Sequence, residues 1–428
     1  MNGASGSGAG TRNYAIVTAA YWGFTLTDGA LRMLVLLHFF RLGYSPFTLA
    51  FLFLLYEAAG IGANLVGGWL ATRFGIARML AVGLATQVLG FLMLSALSPD
   101  WAAAVSVAWV VVAQGVCGVA KDLTKTASKS AIKLSAGEAA AEGSAGGAGE
   151  GASGRLFRWV AWFTGSKNAM KGIGFFLGGL LLEAAGFRTA LWGMAGVLAL
   201  ILAGVLLSLP PLKGGAKASK SARELFAKNR GVNLLAAARI VLFGARDVWF
   251  VVGLPVFLYS EGWTFTMVGG FLALWTIGYG VVQAAAPALV RRSADGLATE
   301  VPAARGWSLA LTLIPAALAG ALMLDTGAAD LVVVAGLALF GVAFAVNSSV
   351  HSYLILAYAG SEKAAEDVGF YYAANAVGRF AGTLLSGFLY QWGGLATCLW
   401  GAFAMLLACW LVTLALPRTR DAGAPAVA

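Results

Sequence analysis

Two basic side chains, Lys171 and Arg379, fall deep inside apolar stretches of this chain. Lys171 stands 186 − 171 = 15 residues before the turn glycine Gly186, about 22 Å at a rise of about 1.5 Å per residue. Arg379 stands 392 − 379 = 13 residues before Trp392, about 20 Å by the same measure. A charge at mid-bilayer costs about 2.5 to 3.5 kcal/mol on insertion scales, so such residues usually face protein or water and mark a pathway. Two cations at equivalent depth repel each other unless an anion comes between them, and a low dielectric strengthens that attraction. Guanidinium adds a bidentate match to phosphate-like oxygens that lysine lacks. The chemistry these residues predict is the binding of a small anion.

Other polar residues extend the expectation. Lys167, one turn from Lys171, has the reach to snorkel to the interface. Asp28 and Arg32 are four apart and suited to pair on one helix face, while Arg239 and Arg246 are seven apart with Asp247 adjacent. For these, two readings stand: an internal ion pair that locks a helix, or a substrate or gating role. Glu57, in "LLYEAAGIGAN", has no partner near it in sequence; a lone carboxyl there suits a proton carrier, with a hydrogen-bonded structural role as the alternative. Lys121, Lys125, Lys129 and Lys133 step by four through "KDLTKTASKSAIK", a cationic stripe for anionic headgroups or a funnel for anions. Trp275, Tyr279, Gln283, the run "NSSVHSY" with Asn347 and His351, and Tyr371, Tyr372 and Asn375 supply further polar and aromatic handles. The expected binding set is therefore Lys171, Arg379, Arg32, Arg246, Lys125, Lys167, Asn375, Tyr279, Tyr372, His351 and Asn347, with coupling or gating by Asp28, Glu57 and Asp247.

The elements that must position these residues are membrane helices. Of 428 residues, 60% are hydrophobic and only 11% charged, and the mean hydropathy is +0.81. Soluble domains average about 25% charged. A helix needs about 20 apolar residues to cross the hydrocarbon, and the runs are continuous rather than alternating, which excludes a barrel. Twelve spans are expected, at 14–40, 46–71, 79–97, 102–121, 158–185, 189–209, 233–259, 266–290, 307–324, 331–359, 368–392 and 396–416. The net charge of +10 follows the termini and alternate connections, so the positive-inside rule places both termini in the cytoplasm and argues against nucleic-acid binding. The opening "MNGASGSGAG" lacks the charged start and cleavage site of a signal peptide. Cys117, Cys398 and Cys409 fall inside predicted helices as small packing residues.

Internal similarity divides the chain. "GFRTALWG" at 186–193 resembles "GLATCLWG" at 394–401, an offset of 394 − 186 = 208 that carries Lys171 onto Arg379, and Gly174 and Gly178 onto Gly382 and Ser386. Small residues four apart let helix backbones approach closely. "FTLTDGALRML" and "FGARDVWFVVG" place Asp28 with Asp247 at 247 − 28 = 219. The expectation is an all-α integral membrane fold of two six-helix pseudo-repeats, 14–209 and 231–416, with tails 1–13 and 417–428 and a connector 210–230, the arrangement of the major facilitator superfamily. A low-complexity Gly/Ala/Ser/Glu segment, 135–154, is expected to hold no structure.

Two His residues in separate helices, with no Cys or carboxylate cluster at ligand spacing, argue against a metal, and no phosphate loop of the GxxxxGK[ST] type is present. No nucleophile and base constellation suggests an enzyme, and no cofactor is expected. "GWLATRFGIAR" resembles the superfamily's loop signature, with Thr72 where that signature has an acid. Together, "FTLTDGALRMLVLLHFFRLGYSP", "GVAKDLTKTASKSAIKL", "TGSKNAMKGIGFFLGGLL", "LFGARDVWFVVGLPVFL", "FAVNSSVHSYLILAYA" and "DVGFYYAANAVGRFAGTLLSGFLYQWGGL" resemble the ArsJ branch, bacterial organoarsenical efflux permeases. That resemblance implies export of 1-arseno-3-phosphoglycerate, an unstable ester that falls apart outside the cell, and hence arsenate resistance. It also implies glyceraldehyde-3-phosphate dehydrogenase as the functional partner that supplies the ester, besides membrane lipid. A carrier of another organic anion or phosphate ester, or a multidrug exporter, is the alternative on the same fold.

Overall fold

The computed structural model describes residues 7–62, 75–143, 152–210, 229–290, 293, 297–324, 328–358 and 364–418. They form helices and no strands: α1 Ser7–Arg41, α2 Pro46–Leu52, α3 Ile76–Ser95, α4 Ala103–Gly143, α5 Ala152–Ala184, α6 Phe187–Ser208, α7 Arg230–Phe250, α8 Gly253–Ser260, α9 Phe265–Leu289, α10 Glu300–Leu322, α11 Ala329–Tyr358 and α12 Ala364–Leu414. Among the described residues, nine helical segments are long and apolar enough to cross a bilayer. The chain gathers into two compact units, one of residues Met1–Val35, Gly62–Ser219 and Gly269–Ala273, the other of Leu36–Ile61, Lys220–Val268 and Leu274–Ala428.

Breaks between helices follow backbone chemistry. Gly394, at φ 66°, adopts the left-handed conformation that only glycine takes freely, and divides the long α12 into two helical runs near the expected boundary. The expected span 233–259 is interrupted at Val251 and Val252, four and three residues before Pro255, whose ring cannot continue the hydrogen-bond ladder. The Ser386 hydroxyl accepts the N–H groups of Val252 and Gly253, each at 3.1 Å, so donors in the interrupted stretch are satisfied inside the bundle. Ser386 was expected only as a small residue; its oxygen is what α12 contributes.

Three expectations change. α4 continues to Gly143, so 135–143 is helical rather than structureless; "GEAAAEG" is rich in Ala and Glu, both strong helix formers. α10 begins at Glu300, seven residues before the expected start, and the Glu300 carboxylate accepts from the Ser293 hydroxyl and N–H just ahead of it. The expected span 46–71 is met by Pro46–Gly62, begun by Ser45, whose hydroxyl accepts the Thr48 N–H at 3.2 Å, and by Pro46 in the first turn. Residues 63–74, with Thr72 and most of the loop signature, lie outside the described residues, as do 144–151 and most of the connector, 211–228.

In the first unit α3 lies along α4 through glycines: Gly83 faces Thr124, and Gly90 faces Cys117. Trp109 Nε1 donates to the Met93 carbonyl at 2.7 Å, and Arg188 Nε to that of Ser95 at 2.8 Å. α5 crosses α1 where Gly174 and Gly178 meet the backbone of Leu26 and Ala30. In the second unit, a core of Val232, Leu235, Val301, Val346, Leu354 and Tyr358 joins α7, α10 and α11. Asn229 caps α7 by accepting the Val232 N–H at 2.8 Å while its amide donates to the Tyr358 carbonyl at 2.9 Å. The cysteines are buried and unpaired.

Candidate functional site

Four charged side chains of the second unit form a continuous chain. Gly382 lets α12 approach α7 closely: a Cβ there would stand 2.5 Å from the Gly244 carbonyl oxygen and 2.9 Å from the Asp247 Cβ. One turn earlier on α12, Arg379 reaches both neighbours, its Nε 3.3 Å from Asp247 Oδ2 and its terminal nitrogen 2.7 Å from Glu57 Oε1. Asp247 also accepts from Arg246 Nε at 2.7 Å. Glu57 and Asp247 are almost wholly buried, while Arg379 and Arg246 keep about a fifth of their side chains exposed. With all four ionised the formal charges cancel, and the chain alternates in sign as Arg246, Asp247, Arg379, Glu57.

This corrects the expectation for Arg379 and Glu57. Arg379 is not an uncompensated cation awaiting an anion; two carboxylates already hold it. Glu57 is not a lone carboxyl, since its partner lies 379 − 57 = 322 residues away in sequence, beyond any local pattern. Asp247 and Arg246 take the ion-pair reading. Lys171 belongs to the first unit, partly buried, with its Nζ 5.6 Å from the Phe175 ring centroid, a cation–π distance.

Lys125 is corrected as well. Its Nζ lies 3.6 Å from Asp122, which is 2% exposed, and Lys121 lies 3.9 Å from the same carboxylate. The stripe is therefore not purely cationic where its side chains are described; those of Lys129 and Lys133 lie outside the described residues. Asp122 sits within the quoted "KDLTK", and its acidic member was the signal passed over. Asp28 and Arg32 are both buried on α1, at 7% and 8% exposure. Lys167 is partly buried on α5 beside Ser166, which accepts the Trp22 indole N–H at 2.9 Å.

The polar handles of the second unit divide in two. Tyr279 stacks on Trp275 at 5.9 Å, and Trp275 meets Trp249 edge-on at 5.4 Å, so Tyr279 belongs to an aromatic cluster with Phe340 and Phe344. Tyr372 is 40% exposed. Asn347 and His351, one turn apart on α11, are fully buried. Near them Arg239 donates to the Ser348 carbonyl at 3.3 Å and hydroxyl at 3.1 Å, with its guanidinium over the rings of Phe243, at 4.0 Å, and Tyr371, at 4.7 Å. Sequence spacing grouped Arg239 with Arg246 and Asp247, yet all its polar contacts turn the other way, toward α11.

No protein-family profile and no curated protein sequence matches this chain. Solved structures do. The nucleoside transporter NupG, in a mutant form, superposes with a TM-score of 0.71 at 13% identity, over 95% of this chain and 99% of that one. A structure described as showing substrate recognition in proton-dependent oligopeptide transporters gives 0.67 at 12% identity, over 95% and 98%. Both are described as transporters, and at these identities the likeness shows the fold alone: this chain shares their all-α architecture, built here from helices long and apolar enough to cross a membrane.

Proposed function

We propose that this chain is a secondary transporter working by alternating access, and that its solute is an anionic organoarsenical, 1-arseno-3-phosphoglycerate, exported across the bacterial inner membrane to give arsenate resistance. The observation that carries this reading is Arg379 held between Glu57 and Asp247 inside a bundle of transporter fold. A guanidinium shared by two carboxylates can exchange one of them for a solute oxyanion, provided the displaced carboxylate takes up a proton or another partner. Such an exchange couples solute movement to proton movement. The substrate identity rests on the segments that resemble ArsJ, and the dehydrogenase partner follows from it. Asp28, Arg32, Lys167 and Lys171 enter as further members of the pathway.

Arsenate tolerance of an arsenic-sensitive bacterial cell, given this chain with and without a glyceraldehyde-3-phosphate dehydrogenase, tests the proposal. Resistance is expected only with both proteins. Resistance to unrelated drugs, or none to arsenate, would point to the multidrug or other-anion alternative. Lys171→Ala, at equal membrane abundance, is expected to slow arsenic efflux about tenfold or more, since hydrogen bonds to charged groups contribute about 1.5–3 kcal/mol. Efflux at the wild-type rate removes Lys171 from the pathway.

A further inference from the structure

Three arginines of the second unit, Arg379, Arg246 and Arg239, are not alike. Arg379 has two carboxylates and Arg246 has one. Arg239, 4% exposed, has none within 4 Å among the described residues. Its hydrogen bonds end on Ser348, and its Nε is buried without an acceptor among the described residues. Around it the unmet capacity continues. Among the described residues, Asn347 and His351, which lie beside Ser348 on α11, have both amide atoms and both ring nitrogens buried without a partner, and the Asn375 Oδ1 on α12, one turn after Tyr371, is in the same state. Buried polar groups are ordinarily hydrogen-bonded, and a buried charge is ordinarily paired. A cluster that breaks both rules, around a residue that never loses its charge, has the donors and the charge to hold an anion.

We infer that Arg239, with Asn347 and His351, is the anchor for one oxyanion end of the transported solute, a phosphoryl, arsonyl or carboxylate group. The inference rests on the transport reading above and deepens it by adding Arg239 as an anchor for one end of the solute, besides the exchange at Arg379. Guanidinium presents a fork to two oxygens of such a group, and the Asn347 amide and whichever imidazole nitrogen carries hydrogen add donors one turn apart on α11. Phe243 and Tyr371 flank the guanidinium with ring faces that accommodate a cation. Full burial of Asn347 and His351 means the site is closed in this structure, so a solute reaches it only when helices part, as alternating access requires.

The test uses the full chain purified in detergent, with 3-phosphoglycerate as a stable anionic probe, glycerol as its neutral counterpart, and inorganic phosphate alone. Thermal unfolding is followed for the wild type and for Arg239→Gln. The wild type is expected to gain thermal midpoint with 3-phosphoglycerate and not with glycerol; inorganic phosphate at equal concentration is expected to give a smaller gain, and an equal gain would overturn the assignment to an organic solute. Arg239→Gln is expected to keep or raise the midpoint without probe, because an uncompensated charge is removed. It is expected to bind 3-phosphoglycerate about thirtyfold or more weakly, the loss typical of truncating one partner of a buried charge pair. A variant that shifts with 3-phosphoglycerate as the wild type does, or whose midpoint falls while the shift remains, overturns the inference in favour of a structural arginine. Should Arg239→Gln not fold, Asn347→Leu is measured the same way, and an undiminished shift there overturns it equally. No wild-type shift also overturns it, whatever the arsenate assay gives. An Arg239-dependent shift with no arsenate resistance overturns only the organoarsenical reading.

Discussion

Replacing Arg379 with alanine is expected to destabilise the second unit by about 3–5 kcal/mol, the usual effect of removing one member of a buried ion pair. The reason lies in what is left behind. Glu57 and Asp247 are 2% and 1% exposed, and without the guanidinium these two carboxylates lose the cation they share inside an apolar bundle, while Asp247 keeps Arg246. Breaking a pair is far more damaging than replacing both members, so the paired change Glu57→Gln with Arg379→Gln is expected to cost less than Arg379→Ala alone. Denaturant or thermal unfolding of the purified variants measures this, with membrane abundance as a parallel readout. If Arg379→Ala unfolds like the wild type, Glu57 and Asp247 are not held by Arg379 in the membrane, and the exchange of a carboxylate for a solute loses its basis.

The double variant separates stability from transport. With both side chains neutral the bundle is expected to fold, yet the Arg379 charge that passes from carboxylate to solute is gone, and only the pair of Arg246 with Asp247 remains. Arsenic efflux per transporter is therefore expected to fall even where abundance recovers. An unaltered efflux rate in the double variant assigns this pair to architecture alone.

Much of the fold was legible because apolar length is a one-dimensional signal. Spans such as 187–208 and 265–289 appear within two residues of where hydropathy put them, since the bilayer thickness sets the run length. What hydropathy cannot see is local backbone chemistry within or beyond a span. The break before Pro255 and the helical extension through "GEAAAEG" depend on lost hydrogen bonds and on helix propensity instead.

The charged site was legible as a set of residue types and not as a set of pairs. Arg246 with Asp247 are neighbours in sequence, and of the two readings open for them the ion pair is the contact found, whereas Glu57 with Arg379 needs tertiary contact that no spacing rule encodes. The opposite failure occurred at Arg239. Its seven-residue distance from Arg246 suggested a shared face, but a seven-residue step is about 10 Å along the axis, enough for Arg239 to turn to Ser348 while Arg246 turns to Asp247. Phe243 receives both guanidinium groups, at 4.0 and 4.9 Å from its ring centroid, so the shared face is real even though the partners differ.

Glycines that the internal similarity brought into register carry the remaining large effect. Gly174→Val is expected to cost at least about 3 kcal/mol, the upper end for overpacking, because the obstacle is backbone. Its new Cβ would meet the Leu26 carbonyl oxygen and lie 3.1 Å from the Gly29 Cα, neither of which has a rotamer to change. Gly382→Val meets the same kind of obstacle in the second unit, at the Gly244 carbonyl and the Asp247 Cβ. The two contacted carbonyls are 244 − 26 = 218 residues apart, and the two glycines 382 − 174 = 208, so a helix pair of each unit uses one device at matching places. The consequences differ in kind. At Gly174 the crossing of α1 and α5 is displaced, and Lys171, whose carbonyl lies against Gly29, moves with it. At Gly382 the displacement of α12 from α7 pulls Arg379 away from Asp247, so the ion-pair penalty is added to the steric one. Gly382→Val is therefore expected to be the more destabilising of the two in thermal unfolding, and combining it with Glu57→Gln and Arg379→Gln is expected to bring its cost down to that of Gly174→Val. Equal midpoints for the two single variants would show that the close approach of α12 and α7 is not what sets the Arg379 geometry.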